Sequence, residues 1–435
     1  MPERKAHIDM TPVILLCTVG GSHEPILTAL RQTAPDFTCF ICTDRDPATG
    51  RPGSDVQILG QGSCIKARPS DEKPTLPNIS TQAGLRDDQY EVVRVPADDL
   101  DEVFRILRDT IENLGQRFPG ARLLADYTGG TKTMTAGLVS AALESDGVEL
   151  QLVTGSRADL IKVRSGMEAV TQAHVERVRL ERAMRPYVDA WRRFAYAEAQ
   201  QGLAALPRPR DRALAARLAL LRDLSRGLDA WDRFEHDSAL DLIEPYRPRI
   251  GASWSALLTA LKRLTTGDEA QEPARLFDLW RNAERRAAQG RYDDAVARVY
   301  RLLEWSAQWL LRSRYGIDTG DVPPERVPPG MTLRPNDKGR IQVGLMAAWE
   351  LLAHYQPDSP AGAFFRAERN ALLNWLQMRN HSILAHGFRP VVEADWRALA
   401  EWVNAVLLPA LLQETAALRI RAMPPQLPDR PPANG

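Results

Sequence analysis

The sequence lacks net charge, because its 435 residues carry 56 basic and 56 acidic side chains. A protein that coats duplex nucleic acid usually has a clear basic excess, since neutralising phosphates supplies most of that affinity. The balance therefore argues against stable binding of duplex DNA, although it leaves room for a local nucleic-acid groove. Apolar residues make up 44% of the chain, which is enough for globular cores and excludes a disordered protein.

The sequence also lacks an uninterrupted apolar run of about 18 residues, the length that a membrane helix needs. Its first residues, MPERKAHIDMTP, are polar and do not resemble a signal peptide. These two absences predict a cytoplasmic protein with no membrane segment.

Cysteine is scarce, and its few positions argue against a metal centre. The chain has four cysteines, and two of them, Cys39 and Cys42, form a C-x2-C, the spacing of half a zinc site. They fall in a predicted strand, where an odd offset places them on opposite faces. No second pair follows, so we predict buried, reduced core cysteines and no metal or cofactor. The other two cysteines are Cys17 and Cys64.

The first part of the chain alternates short β-rich runs with helical patterns. Strands that are apolar on both faces and alternate with helices predict a Rossmann-like parallel sheet with helices on each side. The segment over 45–85 is rich in Gly, Pro, Ser and Asp, and we predict it to be a loop or insertion over the sheet edge. The predicted strands are Val13–Thr18, Phe37–Thr43, Glu91–Val95, Arg122–Tyr127 and Glu149–Thr154, and the predicted helices are His23–Thr33, Leu100–Arg117 and Thr131–Ser145.

Later, Ala, Leu and Arg dominate and no convincing strand recurs, which predicts an all-α region. The predicted helices are Val175–Glu198, Asp211–Phe234, Trp254–Thr266, Ala274–Gln289, Tyr292–Tyr315, Arg340–His354, Ala361–Met378 and Val392–Leu418. The predicted domains are an α/β domain over 1–172, connecting helices over 173–270, a helical bundle over 271–422 and a disordered, proline-rich tail over 423–435.

Two glycine-rich turns follow predicted strands at the edge where ligands of parallel sheets bind. Paired glycines let a backbone approach a ligand, and hydroxyls, helix amides and a lysine can hold an anion. Neither turn is a dinucleotide fingerprint or a P-loop. Ordinary capped strand–helix junctions would give similar turns, but two at one edge, one with lysine, favour a nucleotide site. The candidate ligand-binding residues are Thr18, Gly20, Gly21, Ser22, Asp126, Thr128, Gly129, Gly130, Thr131 and Lys132.

In the helical bundle, Arg379 and His386 lie seven positions apart. On an unbroken helix both would face nearly one side, two turns apart, because each residue adds about 100°. RNA cleavage by its own 2′-hydroxyl needs a group that titrates near neutrality and a fixed cation beside the phosphate, and no metal. His386 suits the first role and Arg379 the second, and Asn380 could orient the phosphate or His386. A surface arginine with a packed histidine would give the same bare pattern.

Two nearby residues are candidates for supporting roles. His381 lies about 140° around the helix from His386, which argues against a shared metal ion and predicts packing or a supporting contact. Glu304 lies on the predicted helix Tyr292–Tyr315, where it is either a surface charge or a partner that sets the rotamer of Arg379.

The two motifs together resemble a known family. D-x-T-G-G-T-K-x-M, over 126–134, resembles the signature of CARF domains, which bind cyclic oligoadenylates. R-N-x5-H, formed by Arg379, Asn380 and His386, resembles the motif of HEPN ribonucleases. Their order, with helices between them, resembles that of the CRISPR-associated CARF–HEPN ribonucleases of type III systems, and the resemblance covers most of the chain.

The resemblance implies a homodimer in which two CARF domains share a pocket for cyclic oligoadenylate and two HEPN domains form a composite site for single-stranded RNA. We expect the ring to switch on metal-independent cleavage in antiviral defence, with the helix Val175–Glu198 carrying the signal. Some members also cleave the ring, and Thr131, Lys132 and Ser22 are the candidates for that reaction here. Two alternatives stay open: a ligand-sensing regulator with a non-catalytic helical half, and a HEPN toxin that acts without nucleotide.

Overall fold

A computed structural model of the chain describes residues 11–46, 49–50, 52–59, 76–154 and 169–432. The chain divides into two compact units between Arg179 and Leu180, slightly after the predicted boundary at residue 172. The first unit is α/β and the second is helical, which confirms the predicted fold class. No helix among the described residues is long and apolar enough to cross a bilayer.

The first unit is built on a six-stranded sheet with the order β3-β2-β1-β4-β5-β6. Strands β1 to β5 are parallel, and β6 pairs antiparallel with β5. The strand order reverses between β1 and β4, which is where open α/β sheets bind their ligands. The elements are β1 (Val13–Thr18), α1 (Glu24–Thr33), β2 (Phe37–Thr43), α2 (Ile79–Ala83), β3 (Tyr90–Val95), α3 (Leu100–Arg117), β4 (Arg122–Asp126), α4 (Lys132–Glu144), β5 (Val148–Thr154) and β6 (Ala169–Gln172).

Both faces of this sheet are covered, as strands that are apolar on both sides require. Ile14 and Leu16 of β1 pack in a core with α3 and α4, whereas Leu15 packs on the other face with α1. The prediction missed α2, inside the polar 45–85 segment, and β6. Strand β6 is largely exposed and reads Ala-Val-Thr-Gln, so it carries no apolar signal.

The cysteines of this unit are core residues. Cys39 lies in one core and Cys42 in the other, so the two thiols face opposite sides of β2, as predicted. Burial raises the pKa of the Cys42 thiol to about 12, and it raises the pKa values of Cys17 and Cys39 as well. These thiols are therefore protonated and unreactive near neutral pH. Cys64 lies outside the described residues.

The regular secondary structure of the second unit, within its described residues, is helical, and a largely irregular segment over 316–344 lies between two of the helices. A π-helical turn over Val403–Leu407 interrupts the predicted helix Val392–Leu418 just before Pro409, which has no N–H to donate to the preceding turn. The helices are α5 (Glu176–Ala190), α6 (Tyr196–Ala205), α7 (Arg212–Asp232), α8 (His236–Ile243), α9 (Arg247–Ile250), α10 (Ser255–Arg263), α11 (Gln271–Ala288), α12 (Tyr292–Tyr315), α13 (Leu345–Tyr355), α14 (Pro360–Asn380), α15 (Glu393–Trp402) and α16 (Leu408–Glu414).

The prediction of one continuous helix over Val175–Glu198 is wrong, because the chain forms two helices there. Helix α5 ends at Ala190, and the chain then turns through Phe194, whose φ is 57°. The indole of Trp191, fully buried in the core, donates to Ser225 at 2.9 Å. The helix therefore ends where a buried aromatic side chain meets the core, a contact that local periodicity does not indicate.

The larger of the two hydrophobic cores in the described part of the second unit includes residues of both the predicted connecting helices and the predicted bundle. A buried ionic cluster joins the two parts. Arg285 on α11 is fully buried and donates to Asp232 on α7 at 2.7 Å, and Asn282 donates to the same carboxylate at 2.8 Å. The predicted division at residue 270 is therefore not a boundary in packing.

The prediction of a disordered tail over 423–435 is wrong for its described part, which packs against the helices. Tyr196 donates its hydroxyl to the carbonyl of Pro428 at 2.7 Å. Arg285 donates to the side chain of Gln426, also at 2.7 Å. Composition misled the prediction because the partners of these residues lie far away in the sequence.

Candidate functional sites

The two glycine-rich turns meet at one edge of the sheet, as predicted, and that place is the reversal point between β1 and β4. Their glycines face each other: a Cβ on Gly20 would lie 2.6 Å from the backbone nitrogen of Gly130, and one on Gly129 would lie 2.6 Å from the carbonyl oxygen of Thr18. Gly130 also has a φ of +85°, which an L side chain rarely adopts. Contact between the turns therefore requires these three glycines. A Cβ on Gly21 would meet nothing within 4 Å.

Two predicted ligand residues are buried beneath the turns. The hydroxyl of Thr18 donates to the carbonyl of Gly129 at 2.7 Å. Asp126 accepts from the backbone N–H of Thr128 at 3.0 Å and from the side chain of Gln151 at 3.1 Å. Burial raises the pKa of Asp126, while the hydrogen bonds from Thr128 oppose that rise. The side chains of Thr18 and Asp126 shape the turns and do not face solvent.

Two hydroxyls of the second turn also have structural partners. Thr131 caps helix α4 by accepting from the N–H of Met134 at 3.1 Å, and it donates to the carbonyl of Ala97 at 2.9 Å. The hydroxyl of Thr128 accepts from the N–H of Val153 at 2.7 Å.

The exposed groups at this edge are fewer than predicted. Gly21, Ser22 and Lys132 are exposed, and Lys132 is the first residue of α4. A helix N-terminus with a lysine and a hydroxyl beside it can hold an anion.

Sequence reasoning missed two neighbours of these turns. Gln57, in a short 3-10 turn of the 45–85 segment, is buried and donates its side-chain amide to the carbonyl of Gly20. Beside Ala97, the partner of Thr131, lies an open groove of about 1220 Å³ with mostly acidic ionisable groups. Those groups are Asp44, Asp46, Asp98, Asp99, Asp101 and Glu102, against Arg45 and Arg94.

The second motif has a different geometry from the one predicted. Helix α14 ends at Asn380, so Arg379 and His386 do not share the face of an unbroken helix. The chain instead turns back, and the N–H of His386 donates to the carbonyl of Asn380 at 3.2 Å. Gly387 closes this turn so tightly that a Cβ there would lie 2.0 Å from the carbonyl oxygen of His381. A hairpin-like turn therefore returns the backbone of His386 to the helix end that carries Arg379.

Arg379 is held by neighbours that the sequence did not indicate. Its guanidinium carbon lies 4.4 Å from the centre of the Tyr300 ring, and its Nη1 donates to the side chain of Asn380 at 3.2 Å. Glu304 pairs with Arg301 at 2.7 Å and not with Arg379, so the suggested Glu304–Arg379 pair is wrong.

His381 and His386 are both exposed. The prediction that His381 packs is therefore wrong for its side chain. Its backbone supports the turn, because its carbonyl accepts from the N–H of Arg389 at 3.2 Å.

Large apolar side chains are exposed around the same turn, and no periodic pattern revealed them. Phe388 is 93% exposed, which is unusual for an aromatic side chain. Its neighbours are Ile383, Leu384 and Val392, each about half exposed. We call these four residues the apolar patch. Exposed apolar side chains that cluster within one short segment can mark an interaction surface.

Comparison with known proteins agrees with both units. Residues 267–408 match the family model described as the Csm6 HEPN domain. The fold is similar to that of Enterococcus italicus Csm6 bound to cyclic hexa-2'-fluoro-hexa-dAMP, with a TM-score of 0.56, 12% identity, and coverage of 93% of this chain and 95% of that one.

A type III CRISPR defence DNA nuclease activated by cyclic oligoadenylate also matches, with 14% identity over 59% of this chain and 34% of that one, but its TM-score of 0.23 is too low to support a common fold. No curated protein matches the sequence. The family match over 267–408 contains the motif of Arg379, Asn380 and His386, and the similarity in fold extends over both units. Residues 267–408 are therefore similar to the Csm6 HEPN domain, and the fold of the chain is similar to that of a Csm6 protein.

Proposed function

We propose that this protein is a cytoplasmic endoribonuclease of type III CRISPR antiviral defence that cuts single-stranded RNA when a cyclic oligoadenylate binds. The observation that carries the proposal is the turn after α14, which brings His386 back to the helix end that carries Arg379. It lies within the residues that match the Csm6 HEPN domain.

Cleavage proceeds by attack of the 2′-oxygen of RNA on the adjacent phosphorus. A bond forms between the 2′-oxygen and phosphorus, the bond from phosphorus to the 5′-oxygen breaks, and the products are a 2′,3′-cyclic phosphate and a 5′-hydroxyl. His386, exposed on the turn, moves protons between these oxygens, and Arg379 stabilises the charge on the phosphate. Asn380 acts through Arg379, since its side-chain oxygen accepts from the guanidinium. This route needs no metal ion.

The active form is a homodimer in which the apolar patch of one copy meets the patch of a second copy. A surface with Phe388 exposed beside the Arg379 turn is costly in water, and its burial at a twofold axis removes that cost. The same contact brings two copies of Arg379 and His386 towards one RNA strand. The dimer thereby accounts for the exposed patch and for its place next to the motif.

The activator binds at the two turns of the CARF unit, at the reversal point of the sheet. Lys132, Ser22 and the N-terminus of α4 offer positive charge and donors to the phosphates. The acidic groove beside Ala97 would repel those phosphates, so it confines the ring to the turns. The similarity to a Csm6 bound to a cyclic hexa-dAMP analogue supports a ring-shaped ligand.

If this protein also cleaves its activator, Ser22 and Lys132 are the residues for that step. The hydroxyl of Thr131 is engaged with Met134 and Ala97, so it is a poorer candidate than the sequence indicated. Loss of ring turnover in the Ser22→Ala variant, with binding of the ring retained, tests this assignment.

The experiment is a single-turnover cleavage assay on a labelled single-stranded RNA in EDTA, with and without cyclic tetra- or hexa-adenylate. We expect cleavage only with a ring, and loss of cleavage in Arg379→Ala and His386→Ala. Arg366→Ala is the matched control, because Arg366 is an exposed arginine on the same helix.

Each contrary result identifies an alternative. Equal rates without nucleotide would point to a stand-alone HEPN toxin. Ring binding without any cleavage would point to a regulator with a non-catalytic helical half, and a need for divalent cations would overturn the metal-independent route.

A further inference from the structure

The guanidinium of Arg379 is held by an aromatic face. Its carbon lies 4.4 Å from the centre of the Tyr300 ring. Both side chains are half-buried, and Tyr300 packs against the helical core from α12, whereas Arg379 stands at the end of α14. A rigid ring from a second helix therefore defines the position of a cation that would otherwise swing on a flexible stem.

Among the described residues, Arg379 makes no ion pair with a carboxylate. Arg301, which follows Tyr300 in the sequence, does pair with one, Glu304. A carboxylate partner would compete with an RNA phosphate for the same donors. An aromatic face attracts the cation through its quadrupole and leaves the in-plane N–H groups free. Asn380 accepts from one of the five N–H donors of the guanidinium, so the other donors stay available to a phosphate.

The contact between Tyr300 and the Arg379 guanidinium is made by the aromatic ring of Tyr300 and not by its hydroxyl. Within the described part of the chain, the Tyr300 hydroxyl makes no hydrogen bond, and the side chain's polar interaction is the one with Arg379. Replacement by phenylalanine would therefore preserve the contact, whereas replacement by leucine would remove the aromatic face and keep an apolar side chain.

We propose that Tyr300 is a positioning residue for RNA cleavage: its ring fixes the plane of the Arg379 guanidinium so that the free N–H edge meets the phosphate in the transition state. The inference rests on the proposed function, because it assigns Arg379 the phosphate. It adds a residue that lies outside the R-N-x5-H motif and on a different helix.

The kinetic test compares Tyr300→Phe and Tyr300→Leu with wild type. Since a cation–aromatic contact is worth a modest energy, we expect kcat to fall about 2- to 30-fold in Tyr300→Leu with little change in KM. Tyr300→Phe should retain the wild-type kcat. The matched control is Tyr315→Leu, which removes a half-buried ring from the same helix, where it packs on Tyr355 with ring centres 4.9 Å apart. That control should lose stability and keep kcat.

Two kinetic results would overturn the proposal. One is a wild-type kcat in Tyr300→Leu. The other is an equal loss in Tyr300→Phe and Tyr300→Leu, since that would assign the effect to the hydroxyl.

A second measurement does not depend on activity. In a ¹⁵N–¹H spectrum of arginine Nε groups, the Arg379 signal, assigned by its absence in Arg379→Lys, should be displaced by the Tyr300 ring current. The displacement should persist in Tyr300→Phe and vanish in Tyr300→Leu. If wild type cleaves no RNA, the proposed function fails, whereas an unchanged Arg379 signal in Tyr300→Leu refutes the contact itself.

Discussion

Substitution of Gly20 by alanine tests whether the glycines of the α/β unit serve contact between the turns or contact with a ligand. The added Cβ would lie 2.6 Å from the nitrogen and 3.3 Å from the Cα of Gly130. Both are backbone atoms, so one turn must move away from the other. Such overpacking typically costs about 1–3 kcal/mol. Gly21→Ala is the matched control, because its Cβ would meet nothing within 4 Å.

The assay is native-state hydrogen exchange of the β1 amides without ligand. A cost of that size lowers the protection factors of the β1 amides about 5- to 150-fold, because a protection factor reports the free energy of the opening that allows exchange. Gly21→Ala should change it little, since exposed substitutions usually stay within about 0.5 kcal/mol. Equal protection in the two variants would refute the role of Gly20 in packing the turns.

Three further predictions concern other parts of the chain. Gly387→Ala should abolish RNA cleavage while far-UV circular dichroism stays unchanged, because the turn that returns His386 to Asn380 cannot close over a Cβ. Gln426→Ala should lower thermal stability by about 1–3 kcal/mol by leaving buried Arg285 without this partner, whereas exposed Gln413→Ala should not. Burial raises the pKa of Asp126, so the folded state holds that proton to higher pH than the unfolded chain does. The stability of wild type relative to Asp126→Asn should therefore fall as pH rises from the ordinary aspartate pKa through the raised one, as urea midpoints would measure.

Local patterns sufficed for much of the fold. The bounds of β1, β2, α3 and α12 agree with the prediction, because the two strands are continuous apolar runs, the two helices have apolar periodicity, and all four have clear ends. The turns over 18–22 and 126–132 meet where predicted, since parallel strands place their carboxyl ends at one edge. Strand β6 was missed because its pairing with β5 depends on backbone hydrogen bonds and not on apolar side chains.

What the sequence could not supply were contacts between distant residues. Residues 300 and 379 are far apart in the chain, and nothing near Tyr300 indicates that it faces a cation. Helical periodicity predicted that Arg379 and His386 share a face, but a turn closed by Gly387 ends the helix first. The buried hydroxyl of Thr18 likewise looked like a ligand donor until its partner, the carbonyl of Gly129, was known.

The ionic cluster between α7 and α11 determines where this protein can be recombined with others. A fragment cut at residue 267, where the family match begins, would keep Arg285 and Asn282 but lose Asp232. Removing one partner of a buried ion pair typically lowers the free energy of unfolding by about 3–5 kcal/mol, so such a fragment would fold less stably than the whole unit. A fusion made near residue 180, where the chain divides into its two compact units, would keep both sides of the cluster together. Helices α6 to α10 would therefore stay with the residues that match the HEPN domain.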